Sequence, residues 1–160
     1  MFNGSCLCGG VRYSLSTAPG AFGYCHCTSC RKASGSAHAA NAPVDRASFQ
    51  LLEGQPLIRE FESSPGKFRA FCSHCGSPLY AYLSATPDVL RIRLGSLDTP
   101  FFEQPQAHTW VSDKAAWEPI ADGIPQFEQW APMTVLQQRG SRQNAPSAGT
   151  SSLPAARGSN

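Results

Sequence analysis

The sequence predicts a mainly β domain, on three observations. Short segments alternate apolar and polar residues with a period of two, turn-forming residues separate them at short intervals, and no long stripe of period 3.6 survives the Pro and Gly spacing. Val11-Arg-Tyr-Ser-Leu15 is the first such segment. Phe49-Gln-Leu-Leu52, Leu57-Ile-Arg-Glu-Phe61, Phe68-Arg-Ala-Phe71 and Val89-Leu-Arg-Ile-Arg-Leu94 behave alike. Between them lie Gly54-Gln-Pro56, Ser63-Ser-Pro-Gly66, Gly76-Ser-Pro78 and Thr86-Pro-Asp88, each read as a turn. Single helical turns are expected at Thr28–Ser34 and near Ser112–Trp117.

Composition narrows the functional classes. The 160 residues suffice for one domain, expected over 1–135, and a tail, expected over 136–160. From Arg139 onward the chain is Ser, Gly, Ala, Pro, Gln and Asn with few apolar residues, a composition expected to stay disordered. Arg139, Arg142 and Arg157 also account for the net charge of +2, since the remaining residues hold 10 basic against 11 acidic groups. A nucleic-acid partner is therefore not expected. No apolar run reaches the roughly 20 residues a membrane helix needs. The first residues, Met1-Phe-Asn-Gly-Ser-Cys6, lack the basic and apolar regions of a secretory leader, so the expected location is cytoplasmic. There, thiols remain reduced and available to metal.

The chemistry lies in seven cysteines grouped in three clusters. Cys72-Ser-His-Cys75-Gly76 is a knuckle whose two thiolates can point at one centre, with Gly76 free to take the positive φ of a tight turn. A redox dithiol would place its second Cys in a helix, which Gly76-Ser-Pro78 opposes. Cys6-Leu-Cys8-Gly-Gly10 supplies a second pair, so that two loops can build a closed four-sulfur zinc site from Cys6, Cys8, Cys72 and Cys75. Cys25-His-Cys27-Thr-Ser-Cys30 is then left with three sulfurs. Seven sulfurs cannot close two four-coordinate sites, and three protein ligands with an exchangeable position is the catalytic pattern of zinc. His26 and His74, each between two ligating neighbours, are expected to point away from the metal. An open all-thiolate site favours an incoming thiol over a hard oxygen ligand and lowers that thiol's pKa. Arg31, or less favourably Lys32, is the candidate to attract an anionic substrate to this site. Trp110, Trp117 and Trp130 are expected to close one end of an aromatic core, and His108 to be a hydrogen-bonded structural residue.

Three stretches carry a family resemblance: Gly4-Ser-Cys-Leu-Cys-Gly-Gly-Val11, Cys25-His-Cys-Thr-Ser-Cys-Arg-Lys32, and Ser63-Ser-Pro-Gly-Lys-Phe-Arg-Ala-Phe-Cys-Ser-His-Cys-Gly-Ser-Pro-Leu79. With Gly95-Ser-Leu-Asp98, His108-Thr-Trp110 and Asp122-Gly-Ile-Pro-Gln-Phe127, they resemble the glutathione-dependent formaldehyde-activating enzymes over about residues 4–132. The resemblance implies packed antiparallel sheets of the β-tent (Mss4-like) kind. It also implies two Zn²⁺ per chain: a structural ion on Cys6, Cys8, Cys72 and Cys75, and a catalytic one on Cys25, Cys27 and Cys30. The implied activity is a carbon–sulfur lyase joining formaldehyde, or a similar small carbonyl, to glutathione. Proteins of this fold also include non-catalytic zinc modules that bind protein partners, which is the alternative reading.

Overall fold

In a computed structural model of the chain, residues 1–136 are described. The expected tail therefore lies outside the described residues, apart from Leu136. The domain is mainly β, built from a three-stranded and an eight-stranded sheet.

The small sheet runs β1 (Phe2–Ser5), β2 (Arg12–Leu15) and β5 (Phe49–Glu53), all antiparallel. The large sheet is centred on β4 (Ala39–Asp45), β9 (Thr86–Arg93), β8 (Pro78–Leu83), β7 (Lys67–Cys72) and β6 (Ile58–Ser64), neighbours in that order and antiparallel throughout. On the other side of β4 the sheet continues through β3 (Gly23–Cys25), β10 (His108–Thr109) and β11 (Gln126–Phe127). This edge departs from the antiparallel expectation: β10 runs parallel to both β3 and β11. Parallel neighbours need a long connection between them: β4 to β9 lie between β3 and β10, and the segment 110–125 joins β10 to β11.

All five alternating segments are strands, as their period requires. The helical turn expected at Thr28–Ser34 is α1, with those bounds. The second expected turn is reduced to a 3₁₀ turn at Val111–Asp113, because Lys114 after it (φ −56°, ψ 151°) takes the chain off the helix path. Thr86-Pro-Asp88 is not a turn. Thr86 pairs with Leu83 across a two-residue hairpin at Ser84-Ala85, so Pro87 sits near the start of β9, where a missing N–H is tolerated. A final helical turn, α2, spans Met133–Leu136.

The core lies between the two sheets. Val11, just before β2, and Tyr13 and Leu15 of the small sheet pack in one cluster with Val44, Ala70, Cys72, Tyr80, Leu90 and Ile92 of the large one. Since side chains alternate along a strand, Arg91 and Arg93 lie on the opposite face from Leu90 and Ile92. Tyr13 is fully buried but satisfied, its hydroxyl 2.7 Å from Ser96 Oγ. Gly54 (φ 87°) closes the sheet corner, and a Cβ there would collide with the Gly10 carbonyl. Leu90 is completely buried at the centre of this cluster. Leu90→Ala should lower the unfolding free energy by about 2–5 kcal/mol, read as a shifted denaturant midpoint at unchanged slope. No helix among the described residues is long and apolar enough to cross a membrane.

Candidate metal centres and the cleft beside them

The first thiol cluster forms where the start of the small sheet meets the end of β7. Cys6 and Cys8 follow β1, Cys72 ends β7, and Cys75 lies in the knuckle beyond it. The four Sγ atoms lie within 4.8 Å of one another, with Cys6 and Cys8 3.4 Å apart and Cys8 and Cys72 3.9 Å apart. Sulfurs about 2.3 Å from a tetrahedral zinc are separated by about 3.8 Å, so this spacing suits the ion and is far too long for a disulfide. The local backbone supports anionic sulfur. Val11 N–H donates to Cys6 Sγ at 3.2 Å, and Cys75 Sγ lies 3.3 Å from Ser77 Oγ, whose hydrogen bonding holds that thiol down to about 5. Gly76 has φ 75°, and its N–H closes the knuckle on the Cys72 carbonyl at 2.8 Å. His74 is exposed on the outside of this turn.

The second cluster joins β3 to α1. Cys25 ends the strand, Cys27 caps the helix by accepting from Cys30 N–H at 3.4 Å, and Cys30 is the buried residue of the helix. Their three Sγ atoms also lie within 4.8 Å of one another, and among the described residues no fourth Cys, His, Asp or Glu joins them. The hydrogen bond from Cys25 holds the Cys30 thiol down to about 5, helped by Cys27 and by the nearby Arg69 and Arg93 charges, while Cys25 is pushed up in return. All seven cysteines are free, and both donor sets fit a soft divalent ion.

His26 is not at the surface. It is completely buried, its main-chain N–H held by the Thr109 carbonyl, and its Nε2 lies 2.8 Å from His108 Nδ1. His108 Nε2 in turn lies 2.9 Å from Asp122 Oδ2, whose residue reaches solvent at 42% exposure. His26 therefore points away from the thiol cluster, as its position in the motif predicts, and burial beside His108 and His38 lowers its pKa to about 4. His108 is hydrogen-bonded through both ring nitrogens, as expected. Its link to His26 is invisible in the sequence, since the two are brought together only by the parallel pairing of β3 and β10.

A cleft of about 460 Å³ opens beside the triple, lined by Cys25, Cys30, Lys67, Arg69, Arg91 and Trp130 among others. The tryptophans are not the core closure expected of them: Trp117 is 70% exposed and Trp130 66% exposed. The intersheet core is already filled by Tyr13, Leu15, Leu90 and Ile92, so the aromatics that follow β9 fall outside it. Trp110 instead packs against Cys25, Cys30 and Ala39, and Trp130 meets it edge-on at 5.7 Å between ring centres. These rings form a wall next to the thiols. Arg31 turns back on its own loop, donating from Nε to the His26 carbonyl at 3.2 Å and from Nη2 to Thr28 Oγ1 at 3.5 Å, and is absent from the cleft lining. The cationic residues that do line it, on β7 and β9, escaped the sequence reading. Their signal was present: Lys67-Phe-Arg69 and Arg91-Ile-Arg93 each place two cations on one strand face.

Fold and sites together define a class, the mainly β proteins with paired cysteine clusters suited to metal ions. The sequence matches the family described as "Glutathione-dependent formaldehyde-activating enzyme" over residues 1–113. A curated protein of Halomonas elongata, provisionally named as such an enzyme, is 30% identical over 129 residues, covering 75% of this chain and 81% of its own length. A crystal structure of a Rhodobacter sphaeroides protein, a structural genomics target, superposes with a TM-score of 0.55 at 20% identity, over 67% of this chain and 99% of the other, and supports the fold alone. The chain belongs to the glutathione-dependent formaldehyde-activating enzyme family.

Proposed function

We propose that the chain is a zinc-dependent carbon–sulfur lyase that adds a glutathione-like thiol to formaldehyde or a similar small carbonyl. The observation that supports this reading is the inequality of the two clusters: four thiols converge in one and three in the other, beside a cleft. In this reading Cys6, Cys8, Cys72 and Cys75 hold a structural ion, and Cys25, Cys27 and Cys30 hold a catalytic one. When bound there, Zn²⁺ supplies a lowered pKa for an incoming thiol at neutral pH.

The protein's own groups do the rest. Cys27 and Cys30 are fixed by the first turn of α1, and Cys25 by its place in the sheet, so the three sulfurs keep their relative positions without substrate. Trp110 covers one side of the thiols, and Trp130 packs edge-on against it. In the addition, a carbon–sulfur bond forms as the carbonyl π pair moves to oxygen, which takes up the proton the thiol has lost. Thiol and aldehyde thus give a hemithioacetal with no redox partner.

Cobalt-substituted protein titrated with glutathione tests the reading. A change in the thiolate-to-metal absorption is expected at millimolar thiol or below. A spectrum indifferent to glutathione, with two metals bound, would leave a zinc module without this chemistry.

A further inference from the structure

Arg93, at the end of β9, is the one buried Lys or Arg among the described residues. Strand register brings it toward the three-thiol cluster. Cys25 of β3 stands opposite Ala39 of β4, and Asn41, two residues further along β4, stands opposite Arg93. Cross-strand partners and alternate residues share a face, so all four lie on the side of the sheet away from the intersheet core. Ala39 packs against Cys25 and Cys30. Arg93 lines a cavity of about 720 Å³ together with Ala39, Ser34 and His38.

No carboxylate balances this charge. Arg93 is only 5% exposed, and its Nε and Nη1 are buried without a hydrogen-bond partner. A guanidinium cannot shed its proton in a protein, so the charge is permanent and its burial costly unless something opposes it. Asp98 lines the same cavity, but it is exposed and accepts from Ser5 Oγ at 2.9 Å. Among the described residues the one ion pair is His108 with Asp122. Asn41 Oδ1 is also buried without a partner, yet an amide oxygen is neutral. Burial and the neighbouring Arg69 press the Arg93 pKa down, and Cys30, Cys25 and Cys27 are what hold it up.

The cluster has the complementary need. Three thiolates around a divalent ion carry about one negative charge. Cys25 and Cys30 are buried, where solvent screens that charge poorly. The four-thiol cluster differs, because Cys8 is exposed to water. Arg69 is an incomplete answer at the triple: it is only half-buried, and its Nε is engaged with Ser63 Oγ at 2.8 Å.

We propose that Arg93 is the buried counter-cation of the three-thiol cluster, each stabilising the other: the guanidinium strengthens metal binding by the thiolates, and the loaded centre offsets the cost of burying the guanidinium. Arg93 acts only through Cys25, Cys27 and Cys30, as a positioning residue. The inference rests on the metal-centre part of the proposed function and not on its thiol chemistry.

The test uses the zinc-loaded full chain, as wild type, Arg93→Met, Arg93→Lys and Arg91→Met. Competition with a chromophoric chelator reads zinc affinity at each cluster, and denaturant unfolding reads stability with two zincs and, after limited chelation, with one. Arg93→Met should weaken zinc at the three-thiol cluster about 10–100-fold and leave the four-thiol cluster unchanged. Arg93→Lys, which keeps the charge, should recover most of that affinity. Arg91→Met, at an exposed position, should change it little. With one zinc bound, Arg93→Met should be at least as stable as wild type, since an unpaired buried charge has been removed. A purely structural arginine would give the opposite pattern, lower stability in both forms at unchanged affinity. That pattern, an Arg93→Met chain that does not fold, or an Arg93→Lys as weak as Arg93→Met would each overturn the counter-cation. An equal loss in Arg91→Met would do so as well, by tracing the effect to a diffuse surface field.

The two readings fail separately. A wild-type cobalt spectrum indifferent to glutathione, with zinc affinity sensitive to Arg93→Met, removes thiol activation and keeps the counter-cation. A glutathione-responsive spectrum with zinc affinity unchanged in Arg93→Met does the reverse.

Discussion

Cys72→Ser is expected to abolish the cooperatively folded domain. Cys72 is completely buried, ends β7, belongs to the intersheet core and contributes to the four-thiol cluster. Apparent zinc-binding energies for structural sites are about 10–16 kcal/mol, which matches or exceeds the whole stability of a typical domain, about 5–15 kcal/mol. With a metal bound, the cluster would tie the loop after β1 to the end of β7, a closure whose entropic cost grows with the length of chain between them. A metal chelator strong enough to strip this site should reproduce the effect in wild type. Near-UV circular dichroism and denaturant unfolding would read both. A cooperative transition retained in Cys72→Ser would show that the sheets hold without the metal staple.

Cys30→Ala should give the opposite pattern, a folded protein without catalysis. The residue sits in a seven-residue helix at the edge of the sheet, and only Cys25, Ala39, Cys27 and Trp110 pack around it. Its loss should cost about 1 kcal/mol of stability, while bound zinc falls from two ions toward one. Partners one shell outside a metal typically cost about 10–100-fold when removed, so loss of a ligand should reduce formaldehyde consumption by more than about a hundredfold. Metal analysis, denaturant unfolding and the rate of formaldehyde loss with glutathione present check the three parts. Unfolding of Cys30→Ala to the same extent as Cys72→Ser would make both clusters structural and favour the non-catalytic alternative.

Much of the molecule was readable before any coordinates. The five alternating segments became strands because a sheet with one buried face imposes that alternation, and Leu90 and Ile92 show it. The two cysteine doublets met because each loop can present only two sulfurs to one centre. Trp117 and Trp130 were misplaced for the converse reason: size and apolarity say that a ring gains from burial, not which surface will cover it. Thr86-Pro-Asp88 misled because its turn chemistry also suits the open end of a strand.

Local pattern therefore determined β2, β5, β6, β7 and β9, the first helical turn, the three clusters of cysteines and the turn of His26 away from the thiols, since each depends on neighbours within a few residues. Tertiary structure alone decided the parallel β3–β10 edge, the His26–His108–Asp122 chain and the convergence of Lys67, Arg69 and Arg91 on the cleft beside Cys25 and Cys30. These are contacts between segments distant in the chain. Which strand lies beside which is set by closing the whole sheet, and no short stretch of sequence carries that information.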